Sequence, residues 1–214
     1  MGIPDYAKQR LTDYVESVEP ESDDWHEAAF KLAHLLAFEN EHDAYAQLCK
    51  RILDNHGDTD SPQIAERTAK ACLVSKRSNL VEEVGKLVDQ AYSEKEKAGT
   101  FDWGGRVHWR DYLAVAKGMA DYRRGDVKSA ISALEPATTF SRYDDHSVCV
   151  RDLLLAMAYQ IAGDTERATK RFEAANAVIE RLPASYAEGA WNDRILLELL
   201  QNEAKEVLSN PVED

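Results

Sequence analysis

"YLAVAKGMADYRRGDVKSAISALEPA" (residues 112–137) and "DLLLAMAYQIAGDTERATKRFEAA" (residues 152–175) align without a gap when Gly125 is placed on Gly163, 38 positions further on. Gly118 then falls on Ala156, Val127 on Thr165, Ala130 on Ala168, Leu134 on Phe172 and Ala137 on Ala175. In each stretch an apolar series at helical spacing runs into Gly-Asp and resumes as a second amphipathic series. Glycine ends a helix in the left-handed conformation that other residues resist, and Asp caps the next helix by accepting from its free amides. Each stretch therefore reads as two helices joined by a tight turn, with Ala130 kept small because Gly118 lies opposite it across the hairpin. Arg124-Gly125-Asp126 spells a tripeptide that some secreted proteins use for adhesion. The second copy keeps Gly and Asp and drops Arg, so what repeats is the turn.

Working outward, the pairing continues. "DDWHEAAFKLAHLLAF" (23–38), with Asp23 or Asp24 as its expected cap, is followed by "HDAYAQLCKRILDNHG" (42–57). "SPQIAERTAKACLV" (61–74) opens on a Ser cap with Pro in the first helical turn and is followed by "NLVEEVGKLVDQAYSE" (79–94). A helix pair that recurs at this period cannot bury its apolar face alone and needs a neighbour, so the expected fold is an all-α, right-handed solenoid of about four units. Residues 1–22 are expected to form an N-terminal helix and acidic linker, 23–185 the helical repeats, and 186–214 a helix and tail that cap the open end of the array.

The fourth unit resembles the tetratricopeptide repeat through Leu155, Ala156, Tyr159, Gly163, Ala168, Phe172 and Ala175. The third departs from that pattern at Lys117 and Tyr122. The first has Asn40 at the Gly position and Tyr45 at a small one, and the second carries no motif. Together with "AERTAKACLV" and "WNDRILLELLQNEAKEVL", these units are similar to the helical-repeat region that follows the kinase or β-propeller domain of large bacterial signalling proteins. None of the kinase motifs stands in the chain. The resemblance implies an interaction module of a bacterial cytosol, in which the first helix of each pair lines a concave groove. It assigns partner binding to Phe30, His34 and Phe38 in the first unit, to Tyr112, Val115, Met119 and Tyr122 in the third, and to Leu153, Met157 and Gln160 in the fourth. The Lys/Asn set with which some members clamp a terminal carboxylate is missing. A groove of aromatic and Met side chains suits an apolar helix or extended segment.

Composition narrows the function classes. Asp and Glu number 39 against 26 Lys and Arg, a formal net charge of −13, with the excess at both ends. Phosphate contacts need cations, so neither nucleic acid nor an anionic membrane is an expected partner. Cys49, Cys72 and Cys149 lie far apart in apolar helical patterns and read as reduced core residues. Basic neighbours could activate Cys72, but its apolar pattern makes it core. No two histidines stand at the spacing that would put both on one helix face, so no metal is expected. Adjacent carboxylates such as Glu82-Glu83 and Asp144-Asp145 diverge on a helix and form no acid/base pair. The Gly pair in "DWGGRVHWRDY" (102–112) follows no strand, so it is no phosphate cradle and is expected to shape a bend. Neither an apolar leader nor a membrane-length apolar run occurs, so the expected location is the cytoplasm. The reading is a scaffold or adaptor with no catalytic residues and no cofactor, binding another protein and open to homo-oligomer formation. A secretion chaperone holding apolar segments of its partner, a structural subunit of a larger assembly and an enzyme without a recognisable motif are the alternatives.

Overall fold

The computed structural model describes residues 5–94, 100–101, 107–138, 145–182 and 191–210. The turns carry the repeat. Gly125 and Gly163 both adopt φ of 80°, and Asn40, at the Gly position of the first unit, adopts 60°. In each turn the residue after the left-handed one donates its amide back across the helix end: Asp126 to the carbonyl of Asp121 at 2.9 Å, Asp164 to that of Tyr159 at 2.9 Å, and Glu41 to that of Leu36 at 2.9 Å. Asn is the side chain that tolerates this conformation best after Gly, which is how a degenerate unit keeps the same turn. The carboxylates of Asp126 and Asp164 accept from the amides of Ser129 and Arg167 at 3.1 and 3.0 Å, so both cap the following helix. Arg124-Gly125-Asp126 is thus a helix stop and a helix start.

Ten helices lie among the described residues, with a two-residue antiparallel pairing of Thr100–Phe101 and Val107–His108. The helices are α1 (Asp5–Ser17), α2 (Asp23–Phe38), α3 (His42–His56), α4 (Pro62–Leu73), α5 (Val81–Ser93), α6 (Trp109–Arg124), α7 (Val127–Leu134), α8 (Asp145–Ile161), α9 (Thr165–Ile179) and α10 (Trp191–Ser209). The Gly pair expected to shape a bend lies outside the described residues. The Ser61-Pro62 start of α4 is as read, but α2 is capped by Ser22, which accepts from the Trp25 amide at 3.1 Å. Asp23 and Asp24 instead occupy the first turn, where the helix dipole favours carboxylates. A second correction concerns Gly118. A Cβ there would stand 2.3 Å from Leu134 Cγ, so the missing side chain makes room for Leu134 rather than for Ala130.

The first helices of the pairs pack in series, α2 on α4, α4 on α6 and α6 on α8. They are the most buried elements: α8 keeps twelve residues out of water, from Ser147 to Gln160, whereas α9 buries only Ala168, Ala175 and Ile179. α3, α5, α7 and α9 each pack on the first helix of their own pair and keep a solvent face. α1 lies on α2, pinned where Trp25 Nε1 donates to the Val15 carbonyl at 2.9 Å and where Lys8 pairs with Glu39 and Glu41.

α10 is placed differently from the expected end cap. It packs on α8 as a further first helix would, and it also packs back on α2. Ile195, Leu196, Leu197, Leu200 and Ala204 are buried there. The series α2, α4, α6, α8 and α10 therefore closes on itself, with the second helices around it. Arg123 of α6 fastens the closure: it pairs with Glu203 of α10 through both oxygens, Nη2 to Oε2 at 2.7 Å, and donates to the Leu73 and Val74 carbonyls at the end of α4 at 2.8 and 3.2 Å. No helix among the described residues is long and apolar enough to cross a membrane.

Candidate functional site

Closure of the inner helices decides the fate of the expected groove. Val115, Met119, Leu153, Met157 and His34 are shut away from water, and Phe30 and Gln160 are buried as well. Only Phe38, Tyr112 and Tyr122 remain half-buried. Tyr122 lies beside Glu203, and burial together with that carboxylate pushes its phenol up to about 12. The Met and Leu side chains that read as a ligand surface are therefore core, because a fifth inner helix occupies the side that an open array would expose.

Two clefts among the described residues stay accessible at opposite ends of α10. The first, about 300 Å³, takes residues from all five inner helices: Glu27, Phe30 and Lys31 of α2, Glu66, Arg67 and Lys70 of α4, Tyr112 of α6, His146, Ser147 and Val150 of α8, and Asn192, Asp193 and Leu196 of α10. In α6, α8 and α10 these positions lie in the first two turns, so those three helices present their starts to one mouth, and α2 and α4 line it from mid-helix. Lys31 pairs with Glu27 Oε1 at 2.7 Å, and Arg67 approaches the other oxygen of Glu27 at 3.6 Å. Deeper in, Lys70 and Glu66 form an ion pair and are both buried, 8% and 4% exposed, with the Lys70 ammonium 5.9 Å from the centre of the Tyr112 ring.

Behind this floor stands His34, edge-on to Phe30 with ring centres 4.5 Å apart. Among the described residues neither ring nitrogen makes a well-aligned hydrogen bond, and the ring faces the Lys70 backbone. Burial, and then the nearby Lys70 charge, hold its pKa down at about 3. His26, one helical stretch away, donates or accepts at Thr68 Oγ1 over 2.9 Å and packs its edge on His56 at 4.7 Å. Its pKa also falls to about 3, through burial first and then His56 and Arg67. Both rings are neutral in the fold.

The second cleft, about 390 Å³, lies at the far end of α10. Ala37, Phe38, Val74 and Leu199 supply its apolar part, and Asn40, His42, Lys76, Arg77, Asn202 and Glu206 its polar rim. Lys76 pairs with Glu206 at 2.5 Å across the rim. Among the described residues the side chains of His42, Arg77 and Asn202 form no hydrogen bond or ion pair. Of the ten residues assigned to a groove, Phe38 alone reaches this cleft, while Phe30 and Tyr112 reach the first.

The three cysteines are free and buried, and burial with the neighbouring Cys49 pushes the Cys72 thiol well above its ordinary range, the opposite of an activated thiolate. No cluster of three potential metal ligands occurs among the described residues. Glu66 and Lys70 escaped the sequence reading, although their i, i+4 spacing on the face shared with the apolar Ala69 and Leu73 is a signal that a charged pair faces inward. No family model, curated protein or solved structure matches the chain.

Proposed function

We propose that this chain is a protein-interaction scaffold or adaptor of the cytoplasm, built from tetratricopeptide-like helix pairs and acting without catalysis. The partner segment binds in the second cleft. The observation that carries this reading is the half-buried pair of Phe38 and Leu199 at the base of an open 390 Å³ cleft whose rim holds His42, Arg77 and Asn202 with no partner among the described residues. An apolar anchor ringed by adaptable donors and acceptors is the arrangement in which a few side chains carry most of a binding energy. The buried face of the first helices supports the same reading indirectly. Opening it would expose five apolar residues of α10, a cost of about 1.5 to 3 kcal/mol for each large side chain, so a partner is better served by the cleft that is already open.

The test is affinity capture from native lysate with the full chain and with Phe38→Glu, using Ile161→Glu at an exposed position of α8 as the control. One partner in stoichiometric amount, lost with Phe38→Glu and kept with Ile161→Glu, is the expected result. A partner kept by Phe38→Glu, in a protein whose helicity is unchanged, contradicts the placement of the site, and no specific partner at all contradicts the scaffold reading.

A further inference from the structure

We propose that the first cleft is a binding site for a small zwitterion of the amino-acid class. Its lining carries Lys31, Arg67 and Lys70 against Glu27, Glu66 and Asp193, three charges of each sign. A simple anion or a simple cation placed among them would meet as much repulsion as attraction, whereas a compact ligand bearing both charges can satisfy both sets. The starts of α6, α8 and α10 add a fixed bias. These three present the positive ends of their dipoles to this mouth, which favours a carboxylate lying nearest the helix starts.

The side chains have unspent capacity of the right kind. Glu27 already takes Lys31 at 2.7 Å, and its contact with Arg67 at 3.6 Å is too long for a hydrogen bond, so the Arg67 fork is available to a ligand carboxylate. Glu66 Oε1 is buried against Lys70, so the oxygen left for a ligand ammonium is Glu27 Oε2, which the distant Arg67 does not hydrogen-bond. A buried Lys–Glu pair contributes little to stability, since well-packed apolar residues of like volume do as well or better. Its place at the floor of an open cleft is what a binding role explains. Phe30 and the Tyr112 ring provide an apolar flank for a side chain. The volume, about 300 Å³, holds one amino acid. This site is separate from the second cleft, at the other end of α10, so the two readings stand or fall independently.

The experiment is calorimetric titration of the full chain with individual L-amino acids and, as probes bearing charge of one sign only, with succinate, inorganic phosphate and propylamine. At least one amino acid is expected to bind at one site per chain, with every one-sign probe weaker by about tenfold or more. Arg67→Gln and Glu27→Gln, at partly exposed positions that the fold tolerates, are each expected to weaken it by about tenfold, and Phe38→Glu is expected to leave it unchanged. The proposal is overturned if no amino acid binds up to about 10 mM, if succinate or phosphate binds as tightly as the best amino acid, or if both cleft variants bind like the wild type.

Discussion

Acidification offers a quantitative trial of the buried histidines. His26 and His34 stay neutral in the folded chain down to about pH 3, whereas in the unfolded chain each takes up a proton near its ordinary value of 6.5. Below 6.5 the unfolded state therefore binds more protons, and stability falls as pH falls, levelling off only near pH 3. Between pH 7.5 and 5.5 each ring costs about 1 kcal/mol, and the pair roughly 2 to 3 kcal/mol. Carboxylates held below their ordinary range, such as Glu27, Asp89 and Glu135, lose their contribution only at lower pH, outside this window. Calorimetry is expected to show Tm dropping by roughly 4 to 12 °C between the two pH values. His34→Leu separates the two rings: it removes a buried imidazole whose nitrogens make no well-aligned hydrogen bond, so Tm at pH 7.5 is expected to change little while the acid-induced drop shrinks by about half. A Tm that does not change over this range, or a drop undiminished in His34→Leu, would refute the reasoning.

Other consequences are simpler. Gly118→Ala places a methyl 2.3 Å from Leu134 Cγ and is expected to destabilise by about 1 to 3 kcal/mol in urea unfolding, although Ala is the better helix former. Gly125→Ala meets no atom within 4 Å, so its cost is the backbone alone, roughly 1 to 2 kcal/mol. Asp164→Ala removes a cap and is expected to cost about 1 kcal/mol, measured the same way. Glu203→Ala leaves the Arg123 guanidinium buried without its carboxylate and is expected to cost about 3 to 5 kcal/mol, far more than Lys76→Ala at the exposed pair beside it.

Local features of the fold were legible because they are written in residues that have few other uses. Gly125, Gly163, Asp126 and Asp164 mark turns and caps wherever they fall at these spacings, and Asn40 marked the same turn in a unit that kept little else. The α4–α5 pair carried no motif, yet its apolar spacing located both helices. The destination of α10 was not legible. An amphipathic stripe on a final helix says that one face is buried and nothing about which surface buries it, so an end cap and a fifth inner helix read alike. That one ambiguity turned Met119, Leu153 and Met157 from a ligand surface into core. The first cleft was hidden for a related reason: its residues come from five helices scattered over the chain, and only ring closure brings Glu27 and Asp193 to the same mouth.

Closure of the inner helices through α10 is the claim on which both clefts depend. Zero-length carbodiimide cross-linking followed by mass spectrometry tests it at Lys76 and Glu206, which lie 130 residues apart in sequence and 2.5 Å apart in space. The expected product is an amide between these two side chains within a monomer, lost when Glu206 is replaced by Gln. Its absence from the monomer, or its appearance only between two copies, would contradict the closed arrangement.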